Sequence, residues 1–355
     1  LPLVQTTYDD VSTDKDLLGK LAGNDPVGQH RDWSTGITGW PGSPTPEALV
    51  TDWVDTIDAN AVAHSNGTPR TWPDGETITS VTITEDGLDL RQLTQKFLLG
   101  AVAYSQGADD YLDDDTEDKG LLSDHSALEE GKTYTALEHA WDEGFGYFGA
   151  TRDYGLLSDD TIADVGASDI DDDGQLDLTS EVVWGHAANA AKRDRGAVIP
   201  VDFTEDAWQG FLQGRTLLAS TVGPLTDEQL DELRGHRDRA LMGWEHAIAA
   251  TVVHYINETL VDLDALGTEA HDNAAHAKHW SELKGFALAL QFNPHSPLSA
   301  SDLESLHALI GDAPHMVAED KQTAVQDLQT ARTLMGEVYG FDTDNLGTLG
   351  DSDGW

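Results

Sequence analysis

The sequence predicts an all-α protein built from two repeat-related helical bundles. Long segments in both halves of the 355-residue chain place apolar residues at the three- and four-residue spacing of a helix. One short segment alternates in the manner of a strand, whereas one helical plan occurs twice, about 140 residues apart. A chain of this length is also long enough for about two domains.

Residues 1–88 are predicted to form a loop-rich N-terminal region that packs on the bundles. Gly, Pro, Asp and Trp are frequent there, and they favour turns and irregular backbone. A short helix is expected near Pro46–Ala63, because proline is well tolerated in the first turn of a helix. Residues 77–84 read Thr-Ile-Thr-Ser-Val-Thr-Ile-Thr, and this alternation predicts a short strand or hairpin arm.

Residues 89–150 and 201–340 are the two predicted helical repeats. The first contains helices over Leu90–Tyr111 and Lys132–Gly149. The second contains five helical segments, and Ser, Thr or Asp at several of their starts are typical helix-capping residues. These segments are Thr204–Ala219, Asp227–Leu263, Glu269–Gln291, Ser301–Ile310 and Ala318–Val338.

The repeat is defined by the pattern W-x-E-x-x-G-aromatic. The pattern occurs over Trp141–Tyr147 and again over Trp280–Phe286, and a similar helix precedes each copy. Its period is too long for a solenoid, so it indicates two similar bundles or one bundle with pseudo-twofold symmetry. An Asp-rich, Gly-punctuated insertion over 151–200 separates the repeats, and residues 341–355 form an acidic tail that is expected to be peripheral.

The charge of the chain excludes several classes of partner. There are 65 Asp and Glu against 20 Lys and Arg, which gives a net charge of −45. Binding to a phosphate backbone or to an anionic membrane surface needs clustered basic residues, so neither is expected. No stretch approaches the roughly 18 apolar residues of a membrane helix, so membrane insertion is not expected either. The absence of Cys excludes disulfides and thiolate metal sites. Most of the charge is interpreted as halophilic adaptation, because high salt screens the self-repulsion of an acidic surface.

The clearest local motif is the calcium-loop pattern D-x-D-x-D-G-x-x-D, which begins at Asp169. Such a loop directs alternate carboxylates at one hard cation, uses Gly for a sharp turn and adds a backbone carbonyl at its seventh position. The twelfth position, usually a bidentate Glu, is Ser180 here, so Glu181 is expected to reach the ion after a one-residue shift. The predicted calcium ligands are Asp169, Asp171, Asp173, Gln175, Asp177 and Glu181. The alternative is an acidic surface loop that binds no ion.

Two helical clusters of His and carboxylates are candidates for a second metal, iron or zinc. Imidazole and carboxylate ligands suit either ion and leave coordination positions open. The candidates are Glu138, His139, Asp142 and Glu143 in the first repeat, and His276, His279 and Glu282 in the second. The alternative for the first cluster is a buried polar network, with Arg152 or Arg215 paired to Glu138. The alternative for the second is histidine on solvated helix faces.

Four segments resemble the bacterial imelysin-like family known as domain of unknown function 4856. They are Lys96–Ala101, Gly131–Gly149, Phe211–Arg215 and Trp280–Ala287, and the likeness covers roughly residues 77–340. The resemblance implies an all-α fold of two related bundles, export to the periplasm or cell surface, and a superfamily association with iron or other metals. The Gly-x-His-x-x-Glu motif of imelysin metal sites and the zinc-peptidase motif His-Glu-x-x-His are both absent, so no peptidase activity is implied.

Together these observations favour an exported, non-enzymatic, calcium-binding protein of the periplasm or cell surface, associated with metal binding or iron acquisition. Its expected partners are metal ions, and an Asp-rich calcium loop suits an extracellular setting. Two alternatives stay open. One is a metal-dependent hydrolase that uses His139 and Glu143, or the His276 cluster. The other is a structural surface or filament protein stabilised by calcium.

Overall fold

A computed structural model describes residues 1–12, 15–24, 29–319, 321–347 and 353–355. Every regular element within these residues is helical, and strand pairing is limited there to isolated bridges. The predicted all-α class is therefore confirmed. No helix in the described part of the chain is long and apolar enough to span a membrane.

The described residues form twelve α-helices. In chain order they are α1 (Tyr8–Val11), α2 (Pro46–Ser65), α3 (Leu90–Leu98), α4 (Ala136–Phe148), α5 (Asp159–Asp164), α6 (Gly185–Gly196), α7 (Phe203–Ser220), α8 (Asp227–Ala265), α9 (Asn273–Ala289), α10 (Ala300–Ile310), α11 (Lys321–Tyr339) and α12 (Thr343–Leu346). Five short 3₁₀ turns occur at Leu18–Lys20, Trp33–Thr35, Gly120–Leu122, Tyr154–Leu156 and Leu290–Phe292. Two π-helical segments cover Leu99–Tyr104 and Gly107–Tyr111.

Local sequence explains where α4 begins and ends. The Thr135 hydroxyl accepts a hydrogen bond from the Glu138 amide, and the Glu138 carboxylate accepts one from the Thr135 amide. This reciprocal capping satisfies backbone donors that the first turn leaves without partners. The helix ends at Gly149, whose φ of 87° is in the left-handed region that favours glycine.

The predicted strand over 77–84 is wrong, because this segment is irregular apart from isolated bridges at Thr77 and Ile83. A few backbone hydrogen bonds, such as that from the Ile78 amide to the Arg70 carbonyl at 2.8 Å, and several side chains take the place of a continuous partner strand here. The Arg70 guanidinium donates to the carbonyls of Ser80 and Ile83, and Asn60 Nδ2 donates to the carbonyl of Val81 at 3.1 Å. Backbone acceptors of this segment are therefore satisfied without a sheet. The alternation of residue types in the sequence does not show which groups satisfy them.

The chain divides into two compact units, each assembled from segments that are distant in sequence. The first unit contains Leu1–Arg31, Val102–Ile248 and Phe292–His295. The second unit contains Asp32–Ala101, Ala249–Gln291 and Ser296–Trp355. Helix α8 contributes to both units. The segment boundaries predicted from the repeat stay a prediction, since the units are defined by packing and not by sequence order.

The first unit has an aromatic core around α4 and α7, which pack together. Trp141 of α4 is buried, and its indole donates to the carbonyl of Phe211 at 2.9 Å. Phe148 packs between Phe211 and Trp244, with ring centroids 5.6 and 5.5 Å away. The insertion between the predicted repeats is more helical than expected, because it contains α5 and α6, and α6 packs on α7.

The second unit is built around α3 and α9, with α10 and α11 beside them. Gly285 permits the close approach of α3 and α9, because a Cβ at this position would lie 2.7 Å from Cβ of Lys96. The indole of Trp280 donates to the carbonyl of Ile310 at 3.2 Å and so ties α9 to the end of α10. The tail predicted to be peripheral instead buries its last residue, Trp355.

Candidate metal centre

The structure brings the first three aspartates of the predicted calcium loop together. One carboxylate oxygen from each of Asp169, Asp171 and Asp173 lies within 4.8 Å of the other two. This is the only such group of three His or carboxylate side chains among the described residues. Asp169 is half-buried, and the other two are exposed.

Backbone hydrogen bonds hold this triad in place. The Asp169 carboxylate accepts from the amides of Asp173 and Gly174 at 3.1 and 3.0 Å, and the Asp173 carboxylate accepts from the amide of Gln175 at 2.7 Å. Gly174 has a φ of 80°, so the turn that the motif predicts is made where glycine is best suited. The loop therefore curls around its own aspartates.

The electrostatics of the triad favour a cation. No Lys or Arg forms a salt bridge with any of the three aspartates within the part of the chain described. Two unit charges about 4 Å apart repel by roughly 1 kcal/mol even at the dielectric constant of water. A divalent ion at the centre of the triad adds an attraction to each carboxylate that outweighs these repulsions, and oxygen ligands are those that Ca²⁺ prefers.

The remaining predicted calcium ligands have other partners. Glu181 is buried, and its two carboxylate oxygens accept from the amides of Ile170 and Asp177 at 2.7 and 2.8 Å. It thus joins the two ends of the loop. The Asp177 carboxylate accepts from the Thr179 hydroxyl and amide and from Gln5, and the Thr179 interactions lower the pKa of Asp177.

Gln5 attaches the loop to the N-terminal segment of the first unit. Its side chain donates to Asp177 at 2.8 Å and accepts from the amide of Leu178 at 2.8 Å. Next to it, Leu3 and Leu176 form a parallel bridge. The loop is therefore anchored at its carboxyl end, while the triad stands at its exposed tip.

The four residues of the first predicted transition-metal cluster make two separate sets of contacts. Arg215 contacts Glu138 at 2.7 Å and Asp142 at 2.9 Å. The His139 ring lies 3.3 Å from Glu143 on the solvent side of the same helix. A salt bridge between α4 and α7 accounts for the acidic half of the cluster, and the four side chains do not converge on one point.

The second predicted cluster is also divided. His279 Nδ1 lies 2.8 Å from Asp262, which raises the pKa of this histidine. Glu282 is buried and pairs with Lys96 at 3.2 Å and Lys278 at 3.7 Å. His276 is buried elsewhere, so the three predicted ligands do not form one site.

Sequence reasoning missed a set of buried carboxylates in the π-helical segment of the first unit. Asp109 is fully buried, and its carboxylate accepts from the backbone amide of His30 and contacts the His30 ring, both at 2.8 Å. Burial raises the pKa of Asp109. Asp110 pairs with Lys119, and Asp113 lies 3.4 Å from the ring of His295. The only sequence signal was an Asp-Asp pair inside an otherwise apolar helical pattern.

A comparison with protein families identifies the chain. The family described as Domain of unknown function (DUF4856) matches residues 46–308, which is most of the sequence. The protein belongs to this family. No curated protein and no solved structure matches it.

The matched region of this DUF4856 protein includes both copies of the W-x-E-x-x-G-aromatic pattern and the whole loop from Asp169 to Glu181. It also includes the two clusters predicted for iron or zinc. The family description names no activity, so a function has to be argued from the side chains of this chain.

Proposed function

We propose that this protein binds one calcium ion through the loop that begins at Asp169, and that it acts as an exported, calcium-stabilised metal-binding protein of the periplasm or cell surface. The observation that carries the proposal is the convergence of Asp169, Asp171 and Asp173 within 4.8 Å. Among the described residues, no salt bridge to Lys or Arg neutralises these carboxylates. The calcium would be bound by these carboxylates, by the backbone carbonyl of Gln175 and by water.

Calcium has a structural role in this proposal. The loop is joined to the N-terminal segment through Gln5 and closed at its base by Glu181. An ion at the tip would fix the remaining part of the loop and so order the segment between α5 and α6. Export fits this role because free Ca²⁺ is abundant outside the cytoplasm. Iron acquisition stays a prediction of the resemblance, and neither helical cluster offers convergent ligands for it.

The test compares calcium binding and thermal stability of two neighbouring aspartate variants. Asp171→Ala removes a triad member and should abolish stoichiometric calcium binding measured by calorimetry. Asp172→Asn is the matched control, since Asp172 is exposed, lies outside the triad and has a φ of 59° that Asn tolerates well. Wild type and the control should be stabilised by about 2.7 kcal/mol when calcium is 100 times its dissociation constant.

Two results would contradict the proposal. One is an identical unfolding midpoint of the wild-type protein in calcium and in chelator. The other is calcium binding by Asp171→Ala that is as tight as that of Asp172→Asn. Magnesium at the same concentration serves as the ion control. It should stabilise the protein less, because Mg²⁺ demands octahedral geometry and gives up its waters reluctantly.

A further inference from the structure

Two histidines at the start of α9 form a pair inside the second unit. His271 precedes the helix, and His276 lies in its first turn. His276 is 0 % exposed, and the centroids of the two rings are 5.3 Å apart with their planes at 86°. The pair is separate from the calcium loop, which belongs to the first unit.

All four ring nitrogens of this pair are buried, and none has a hydrogen-bond partner within the described residues. Buried polar groups in proteins are nearly always hydrogen-bonded, so each exception needs a physical reason. Nearby histidines do have partners, since His279 contacts Asp262 and His315 contacts the carbonyl of Glu319. Both ring nitrogens of His307 are also buried without a partner in this unit, but only His271 and His276 bring two such rings next to each other.

The protonation state of His276 suits a metal ligand. Burial lowers the pKa of His276 to about 4, so its ring is neutral at physiological pH and carries a lone pair. Neutral imidazole is the commonest protein ligand for transition metals.

The ring spacing also suits a metal. With Zn–N bonds of about 2.0–2.1 Å, a tetrahedral ion holds two ligating imidazole centroids roughly 5 Å apart. The observed 5.3 Å agrees with that value.

Two clefts reach the His271 side of the pair. His271 lines both a cleft of ≈ 320 Å³ beside Trp72 and one of ≈ 380 Å³ beside Met316. Glu76 lines both clefts, and Asp74 lines the larger one. Neither carboxylate forms a convergent group of three ligands with the two rings among the described residues, so water from the clefts would complete the four-coordination of an ion held by the two histidines.

We propose that His271 and His276 bind one divalent transition-metal ion of the Zn²⁺ type, with water as the remaining ligands. Nitrogen ligands distinguish this site from the calcium loop, because imidazole selects zinc-like ions and aspartate oxygens select calcium. The ion would satisfy a nitrogen of each ring. The site would also be accessible from the clefts, so water or a carboxylate from solution can occupy the open positions of the metal ion.

The test is a titration of calcium-saturated protein with Zn²⁺ by calorimetry and with Co²⁺ by visible absorption. Wild type should bind one equivalent of Zn²⁺, and Co²⁺ should give the strong d–d bands of a tetrahedral site. His271→Ala should lose both signals. The matched control is His64→Ala, an exposed histidine at the end of α2 in the same unit, and it should retain them.

A second measurement does not depend on the folding of a variant. In the wild-type protein, ring ¹⁵N shifts of two histidines should change on addition of one equivalent of Zn²⁺, and His271→Ala should identify one of them. The proposal is overturned if no histidine ring nitrogen shifts, or if a well-folded His271→Ala binds Zn²⁺ and Co²⁺ as wild type does. Loss of calcium binding in Asp171→Ala with zinc binding retained would leave this site intact, so the two proposals can fail independently.

Discussion

Replacing Lys284 by Met should stabilise the protein at neutral pH and lose this effect in alkali. Lys284 is fully buried in α9, where its ammonium donates to the carbonyl of Gly311 at 2.7 Å. An ammonium has three protons to donate, and a buried charge is unfavourable when its hydration is not replaced. Burial accordingly lowers the pKa of Lys284 from 10.5 to about 8.

The size and sign of the effect follow from this shift. Between pH 8 and pH 10.5 the unfolded chain holds the proton that the folded protein releases, so stability rises with pH through this window. Below pH 8 the charged form lowers the free energy of unfolding by roughly 3 kcal/mol. Met removes this penalty, but it leaves the Gly311 carbonyl without its donor, which costs about 1 kcal/mol. The expected net gain at pH 7 is about 2 kcal/mol.

Urea unfolding at pH 7 and at pH 10.5, at constant ionic strength, measures this difference. The matched control is Lys192→Met, since Lys192 is an exposed lysine of α6 and its replacement removes the same charge. Lys284→Met should exceed the control in stability at pH 7 and fall to the control or below it at pH 10.5. A Lys284→Met protein that is destabilised equally at both pH values would refute the reasoning, because it would mean that the buried amine is uncharged or better solvated than its contacts indicate.

Two further pairs of substitutions test the packing of the first unit and a buried ion pair of the second unit. Gly214→Ala should destabilise the protein by about 1–3 kcal/mol in urea unfolding, because the new Cβ would lie 2.0 Å from the buried Trp141 ring. A Cβ at Gly235 would have open space around it, so Gly235→Ala should stabilise α8 by about 0.5–1 kcal/mol. Equal effects of the two would contradict the packing described for α4 and α7. Lys96→Met should lower the free energy of unfolding by about 3 kcal/mol, because the buried Glu282 would keep only Lys278, its exposed and more distant partner. Adding Glu282→Gln should recover most of this loss of stability. No recovery in the double variant would show that the Lys96 stem matters more than its charge.

Helix positions were predictable because their causes are local. Apolar spacing predicted α7, α8 and α10 to within two residues at each end, and capping signals such as Ser299 explain their starts. The segment from Leu90 to Tyr111 was predicted as one continuous helix. It becomes π-helical after Leu98. Tertiary contacts set the positions of its side chains there, and apolar spacing with a 3.6-residue period gives no information about those contacts.

The candidate site was predictable only in part, for a related reason. The alternation of Asp169, Asp171 and Asp173 predicts convergence because those side chains share one short turn. The partner of Glu181 could not be read from spacing, since either the ion or the loop backbone can satisfy a buried carboxylate. Likewise, Glu138 and His139 are neighbours in sequence but have different partners, because Arg215 arrives from another helix.

The two copies of the W-x-E-x-x-G-aromatic pattern explain why repeat symmetry is a poor guide to chemistry in this protein. In both copies the Trp is buried and its indole donates to a backbone carbonyl of a neighbouring helix. The Glu differs, since Glu143 is half-buried beside a histidine and Glu282 is buried between two lysines. The repeat thus preserves packing, which has few solutions, while the polar positions differ between copies. A function assigned to one copy therefore cannot be transferred to the other, and each has to be tested on its own residues.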